Sequence, residues 1–491
     1  MAMDMAMAAR TGGKRRTVAN DLLSWRNSSM PLRQDYLPYW FAAFAASCIL
    51  FSPELHAAKW DVSKSVSLNE VYTDNLRLAN SGKESDFITQ VTPSISVNGK
   101  GARASVNFSG SLRYDTGGRS SGSVTPNLRG KANTELVRDH FFVDATASIT
   151  QNAIDPYGDI AVDNINKTGN VTTIYQFSVS PYYKIRIEDV GDLNVRYRYT
   201  DTSHSEGAAS GSGKSQFTAD FNAASKSSKF TWGFNTNASS SSNSGGSNSN
   251  FGSANFTWGY QVNRRWQVNG SVGRDSNDYQ STRSSISGFS WTLNTNWTPN
   301  PRTSLRIGYG GRYFGSTPTL DFSYKSRRST IKLGYSRTVT DANTQLDALA
   351  IDPVTGQIYP VAVLTNDVYV DERFTGSYSL QGRRTTLTLS GTQSKQIYEN
   401  SPKASELTKL GLSLSRSLSG KVSANAGVNW YQQDKAATAS AQTWQGNIGL
   451  TVKLGRKTSM NVGYSYNKRD DDVPANSYEE NRANIGLSMQ L

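Results

Sequence analysis

Along the C-terminal hairpins, apolar and polar positions alternate with a period of two. Trp444, Gly446, Ile448, Leu450, Val452 and Leu454 take the even positions, and Gln445, Asn447, Gly449, Thr451 and Lys453 the odd ones. A basic turn, Gly455-Arg456-Lys457, leads into Met460, Val462, Tyr464 and Tyr466, which alternate with Asn461, Gly463 and Ser465. The chain ends on Ala483, Ile485, Leu487, Met489 and Leu491, interleaved with Asn484, Gly486, Ser488 and Gln490. This period puts one set of side chains on each face of a strand. Short strands with one apolar and one polar face are the pattern of a transmembrane β-barrel.

The same alternation recurs at 60–72, 87–97, 102–114, 128–136, 141–149, 171–185, 193–199, 217–223 and 230–238. It continues at 251–262, 266–273, 287–297, 304–313, 319–324 and 330–336, and then at 368–380, 385–392, 407–416, 422–430, 443–454, 458–466 and 482–491. The pattern predicts an all-β fold: one antiparallel up-and-down barrel over 59–491, of about 22 strands within a range of roughly 18–22.

The connections sort by length. Tight ones carry hairpin residues: 98–101, 137–140, 225–229, 263–265, 299–303, 325–329, 382–384, 419–421 and 455–457. Between them lie longer stretches at 73–86, 115–127, 150–170, 200–216, 239–250, 274–286, 337–367, 393–406, 431–442 and 467–481. Only 315–318 interrupts the rule. Short–long alternation predicts short periplasmic turns, long extracellular loops, and both barrel termini at the short-turn rim. A sandwich or solenoid gives no reason for this sorting. Tyr72, Tyr114, Tyr199, Trp297, Tyr309, Tyr313, Trp430 and Tyr466 fall near strand ends, where headgroup girdles sit.

Composition agrees. Only 36% of the 491 residues are hydrophobic, yet there are 10 Trp, 24 Tyr and 41 Gly. A disordered chain is poor in aromatics, and a soluble core of this size needs more aliphatics. A barrel reconciles the two because half of each strand faces water. The net charge of +13 is scattered or sits in turns, with no basic run of the kind that binds nucleic acid.

The apolar run 39–51, preceded by Arg33 and followed by Leu55-His56-Ala57-Ala58, is too short to span a bilayer and reads as the core of a secretory signal peptide. Residues 1–58 are the expected leader, cleaved after Ala57 or Ala58, with Met30 as the expected start of translation. Arg15-Arg16 lies too far upstream to act as a twin-arginine signal. Cys48 sits inside the apolar run, which continues through Ile49, Leu50 and Phe51, so it reads as part of that run and not as a lipidation site. It is the single cysteine, which leaves the mature chain without a disulfide framework or a Cys-based metal site.

A family resemblance rests on particular residues. Ser67-Leu68-Asn69-Glu70-Val71-Tyr72-Thr73-Asp74-Asn75-Leu76, Ser85-Asp86-Phe87-Ile88-Thr89-Gln90-Val91-Thr92-Pro93 and Asp163-Asn164-Ile165-Asn166 resemble the PEP-CTERM system-associated outer-membrane β-barrel family. So do Thr168-Gly169-Asn170, Ser180-Pro181-Tyr182, Pro301-Arg302-Thr303-Ser304-Leu305, Arg312-Tyr313-Phe314-Gly315 and Tyr478-Glu479-Glu480-Asn481-Arg482. The resemblance implies a Gram-negative outer membrane in bacteria with exosortase sorting and exopolysaccharide loci, and assigns no activity. One departure is the last residue. Such barrels usually end in an aromatic that the assembly machinery reads; here Leu491 takes that place, leaving Ile485, Leu487, Met489 and Leu491 as the expected signal.

Enzymatic chemistry is not apparent. His140 and His204 fall in connections at opposite rims, which argues against a His-based lipase or protease. Asp139 beside His140 reads as a turn. Gly211-Ser212-Gly213-Lys214-Ser215 ends like a phosphate-binding loop, but Ala208 replaces its first glycine and a strand follows. Asp470-Asp471-Asp472 reads as a solvated charge run before a cation site. No catalytic residue, metal or cofactor is expected.

What remains is the lumen. Its predicted wall is Asn, Ser, Thr, Gly and Gln, with inward cations at Arg103, Arg113, Arg129, Lys131, Arg196, Arg198, Arg306, Arg312, Lys332, Arg373 and Lys453 and fewer acids. Such a pore suits hydrated anions or acidic sugars. The expected function is a porin-like channel linked to exopolysaccharide, and the alternative is a non-conducting docking barrel for surface proteins. Expected partners are outer-membrane lipid and lipopolysaccharide, the barrel-assembly machinery and exopolysaccharide export components, with no nucleic acid. A 22-stranded transporter with a plug domain is disfavoured, because the first strand directly follows the leader.

Overall fold

The computed structural model describes residues 59–118, 122–154, 165–166, 168–205, 211–223, 229–243, 248–341, 367–435 and 439–491. The predicted leader, with Arg15, Arg16, Met30 and Cys48, lies outside them. The strands are β1 (Lys59–Thr73), β2 (Asp86–Lys100), β3 (Ala104–Thr116), β4 (Ser123–Val137), β5 (Phe141–Ala153), β6 (Val171–Ile187), β7 (Gly191–His204) and β8 (Ser212–Ala223). There follow β9 (Phe230–Asn243), β10 (Ser249–Asn263), β11 (Trp266–Asp278), β12 (Gly288–Asn300), β13 (Thr303–Arg312), β14 (Gly315–Ser316), β15 (Thr319–Lys325) and β16 (Ser329–Asp341). The last are β17 (Val368–Gln381), β18 (Thr385–Tyr398), β19 (Ala404–Ser417), β20 (Val422–Lys435), β21 (Ala439–Lys453), β22 (Thr458–Asp471) and β23 (Tyr478–Gln490).

Each strand pairs antiparallel with the next, and the sheet closes where β1 meets β23, from Ser65 opposite Gln490 to Thr73 opposite Arg482. β14 is a two-residue piece that folds back onto Gly311 and Arg312, so the wall passes directly from β13 to β15. The closed barrel therefore has 22 strands. Closure gives every strand of the wall a neighbour on each side, which spares it the open edge that hydrocarbon would penalise. Lys59 lies opposite Lys100, and the Leu491 amide donates to the Lys64 carbonyl, so both barrel ends sit at the short-turn rim.

The outward face is apolar and exposed. Leu68, Phe87, Leu112, Phe289, Leu293, Tyr309, Leu412, Ile448 and Ile485 are among the large exposed side chains. In water this surface would be a liability; against lipid it is the anchoring band. Tryptophans on this face repeatedly lie across a glycine of the neighbouring strand. Trp60 opposes Gly99, Trp258 opposes Gly270 and Trp291 opposes Gly311, and a Cβ at any of these glycines would meet the indole at 2.5–2.8 Å. The ring gains a flat bed that any side chain would remove. Trp266 and Trp297 pair near the short-turn rim at 5.5 Å, and Tyr72 and Phe87 near the long-loop rim at 5.0 Å.

The strands are longer than the hydropathy pattern predicts. β3 runs to Thr116 and β4 begins at Ser123, β9 runs to Asn243 and β10 begins at Ser249, and β20 runs to Lys435 while β21 begins at Ala439. Much of each predicted loop at 115–127, 239–250 and 431–442 is therefore ladder, and the same holds for 200–216 and 393–406. The reason is physical. Crossing the bilayer takes about 9–11 tilted residues, whereas β6 has 17. The surplus stands above the lipid with water on its outer face, so backbone pairing continues after apolar alternation has stopped.

The rim is uneven. β15 has 7 residues, against 13 in its neighbour β16. The interruption at 315–318 is thus a low point of the outer rim, between β13 and β15.

Candidate functional site: the lumen and its outer mouth

The ladder register fixes which side chains face inward. The wall is built from hydroxyls and amides, and it is levelled by a repeated pairing of glycine with asparagine. Gly308 lies opposite Asn294, Gly427 opposite Asn447, Gly449 opposite Asn425 and Gly463 opposite Asn484. In each pair the amide lies over the glycine, where a Cβ would meet its Oδ1 at 1.9–2.8 Å. Single-sequence reading records only small and polar residues there, because the pairing exists across strands.

The predicted lumen cations separate into three groups. Arg113, Arg196, Arg312 and Arg373 face inward, but each is held by a carboxylate: Asp115 at 3.0 Å, Asp144 at 2.9 Å, Asp275 at 2.8 Å and Asp371 at 2.8 Å. Arg312 binds Asp275 through two nitrogens, the geometry that suits a guanidinium. Arg196 also donates to Ser180 Oγ at 3.0 Å and lies 3.9 Å above the Tyr182 ring. Arg129, Lys131, Arg198, Arg306 and Lys332 face inward without an ion pair among the described residues. Arg306 stands opposite Asp321 in the register.

The third group corrects the prediction. Arg103 is exposed in the turn between β2 and β3, and its carbonyl accepts from the Glu135 amide. Lys453 is the last residue of β21, exposed at the same rim. Arg103 lies beyond the strand end, where parity no longer aims it inward, whereas Lys453 keeps its inward register position opposite Ser459 but stands at the rim. Inward acids, expected to be fewer than the cations, are present as well: Asp115, Asp144, Asp220, Asp275, Asp321, Asp371 and Glu480 occupy inward register positions. Residual positive potential therefore comes from the second group. Further inward cations not predicted are Lys184, Lys214, Lys409, Arg469 and Arg482.

At the outer end β17 stays paired with β18 up to Tyr369 opposite Tyr398, while β16 runs on past its last β15 partner, Tyr335, and its tip reaches across the interior. Val368, Tyr369, Val370 and Asp371 are buried in succession, at 5%, 0%, 0% and 7% exposure, so both faces of this strand end are covered. Asp341, at the tip of β16, reaches Lys214 on β8: Nζ donates to Oδ1 at 3.3 Å and to Oδ2 at 3.4 Å. Ser241 Oγ donates to the same carboxylate at 3.2 Å. β8 and β16 are not neighbours in the sheet, so this contact crosses the interior. Below it lies a cavity of about 220 Å³, lined by Arg198, Gln216, Asn237, Phe251, Asn277 and Asp341 among others.

A strap closes over the same side. The Arg283 Nε donates to Glu399 at 2.8 and 2.9 Å, Ser281 Oγ donates to it at 3.0 Å, and the Thr282 amide donates to the Glu399 carbonyl. The β11–β12 connection is thereby tied to the β18–β19 connection above the low rim. The Tyr279 and Tyr313 hydroxyls share a hydrogen bond of 2.9 Å beside it. On the seam side, Glu480 accepts from Thr73 Oγ1 at 2.8 Å and Asn166 Nδ2 at 2.9 Å and pairs with Arg482 at 2.7 Å.

The remaining predicted features resolve simply. His140 follows Asp139, a turn residue with φ 62°, and stacks on Tyr183. Lys214 and Ser215 lie within β8, while 206–210 fall outside the described residues. Asp470 and Asp471 pair with Lys468 and Arg469. Ile485, Leu487 and Met489 face outward, and Leu491 is exposed beyond the last strand.

Comparison with known proteins finds no matching family model and no curated relative. Solved structures do match in fold. The siderophore receptor PirA from Acinetobacter baumannii superposes with a TM-score of 0.52 at 11% identity, over 88% of this chain and 80% of that one. The FrpB iron transporter from Neisseria meningitidis gives 0.51 at 11% identity, over 88% and 83%. At these identities the likeness is one of fold, that of an outer-membrane β-barrel.

Proposed function

We propose that the protein is a porin-like conduit of the Gram-negative outer membrane that passes hydrated anionic solutes or acidic polysaccharide, without an enzymatic step. The observation that carries the reading is the inner wall: hydroxyls and amides throughout, with Arg129, Lys131, Arg198, Arg306 and Lys332 free of ion pairs among the described residues. Weakly binding polar groups under a positive potential concentrate anions without trapping them. The resemblance to the PEP-CTERM system-associated barrels supports service to exopolysaccharide and exosortase-dependent surface systems. Ile485, Leu487, Met489 and Leu491 would present the assembly signal to the barrel-assembly machinery, and the aromatic girdles would meet lipid and lipopolysaccharide.

The experiment is single-channel recording of the purified barrel in planar bilayers, with reversal potentials under a salt gradient. Anion-selective conductance is expected. Silence both in the intact protein and after deletion of 342–366 sinks the conduit reading. One observation favours a second reading, a docking barrel: the outer mouth is crossed by the Asp341–Lys214 and Arg283–Glu399 pairs. Loss of surface proteins with unchanged polysaccharide secretion, after gene deletion, would favour that alternative.

A further inference from the structure

We propose that the inner wall beside β8 and β9 holds a binding subsite for a carboxylate-bearing sugar, and that Asp341 occupies it from within the chain. The Asp341 carboxylate is bound as a ligand would be. It accepts from Lys214 Nζ and Ser241 Oγ at 3.2–3.4 Å, with Asp341 at 3% and Ser241 at 1% exposure. The sheet does not require this contact, since β8 and β16 are not neighbours in it. Burying a carboxylate is unfavourable unless charge and hydrogen bonds compensate it, and here a cation and a hydroxyl do so.

The space next to that carboxylate is furnished for the rest of a sugar. The cavity of about 220 Å³ has Arg198 on its wall, the amides of Gln216, Asn237 and Asn277, and the inward ring of Phe251. Ser212 Oγ, one inward step above Lys214 on the same strand, is buried without a hydrogen-bond partner among the described residues. Amides and hydroxyls can both donate to and accept from sugar hydroxyls. A flat ring suits the apolar face of a pyranose, and ammonium and guanidinium groups bind a carboxylate by charge-assisted hydrogen bonds. A neutral sugar meets only part of this set, and a bare inorganic anion leaves the amides and the ring unused.

Asp341 thus acts as a tethered competitor. Its presence reduces the apparent affinity for a soluble acidic sugar by the fraction of time it occupies the site. The proposal rests on the conduit reading only for the route by which the sugar arrives, so its test is a binding measurement that needs no conduction. The probe is trigalacturonate, titrated calorimetrically into the detergent-solubilised barrel, with maltotriose as the neutral control. Asp341→Asn is expected to bind trigalacturonate at least tenfold more tightly than the unaltered protein. Adding Lys214→Met or Arg198→Gln to Asp341→Asn is expected to return the affinity to the starting level or below, and maltotriose to show no gain in any variant. Arg198→Gln alone keeps the test open if Lys214→Met fails to fold, because Arg198 forms no ion pair among the described residues. Equal affinity in Asp341→Asn and the unaltered protein, or an equal gain for maltotriose, overturns the subsite. A barrel that binds as expected but never conducts keeps the subsite and sinks the conduit; one that conducts without the affinity gain does the reverse.

Discussion

Glu480 is 1% exposed and holds together three segments that are distant in the chain: Thr73 at the end of β1, Asn166 from the β5–β6 connection and Arg482 on its own strand. Removing its charge while keeping Arg482 leaves a buried cation without its anion, a loss of about 3–5 kcal/mol. Glu480→Leu is therefore expected to lower the urea midpoint of the refolded barrel substantially, while Glu479→Leu, on the outward position beside it, changes it little. A midpoint equal to the parent's would show that the seam does not depend on this cluster. The Tyr279–Tyr313 pair gives a second residue-scale expectation. Burial pushes the Tyr313 phenol up to about 12, and burial pushes Tyr279 up as well. A folded-state pKa above the ordinary value of about 10 means that the folded state holds its proton longer than the unfolded chain does. Its stabilising contribution is then complete below pH about 10 and is lost as pH rises through about 12. Tyr313→Phe should flatten the alkaline limb of the stability profile between those limits, as measured by thermal unfolding. An unchanged slope there would remove Tyr313 from the account. None of these partners is visible in the sequence. Parity predicts that Arg196 and Arg312 face inward, but whether Asp144 or Asp275 lies opposite depends on a register set by turns and strand tilt.

Among the elements, the sequence makes the membrane-crossing part of each strand legible and leaves the part above it obscure. The reason is the same in both cases: alternation is imposed by lipid on one face and water on the other. Where water bathes the outside too, segments such as Ser239-Ser240-Ser241-Ser242-Asn243 pair in the ladder with no hydropathy signature, and Ser241 ends up 1% exposed beneath Asp341. The short β15 left a trace, since 315–318 broke the loop-length rule. The strap from the β11–β12 connection to Glu399 left none. It should behave as a local unit resting on the barrel. Glu399→Ala removes the acceptor for Arg283 and Ser281, and hydrogen exchange of 279–287 is expected to rise at least tenfold, with the barrel's global unfolding temperature nearly unchanged. A global drop of the same order as that for Glu480→Leu would mean that the strap supports the wall itself.

For the whole molecule, what decides selectivity is the sum of charge left after pairing. Parity aims most of the predicted cations inward and the acids are fewer, but which acid lies within reach of which cation is set by the register across strands. The four ion pairs at Arg113, Arg196, Arg312 and Arg373 cancel much of that field. The predicted inward cations without an ion pair among the described residues are spread around the wall on β4, β7, β13 and β16. Spread charges in a wet lumen act on a passing ion through water, so their reach is the screening length, about 10 Å at 0.1 M and about 3 Å at 1 M ionic strength. Selectivity carried by these residues must therefore be a low-salt property. The permeability ratio of chloride to potassium is expected to exceed unity clearly at 0.1 M and to approach unity at 1 M. Arg129→Gln with Lys131→Gln, two neighbouring inward positions on one strand, should lower the low-salt ratio and leave the high-salt conductance within a factor of two. If the ratio instead persists at 1 M, the selecting charges are close to the permeating ion and poorly screened. That outcome would shift the weight from the open wall to the constricted outer mouth, where Lys214 and Arg198 lie beside the tip of β16.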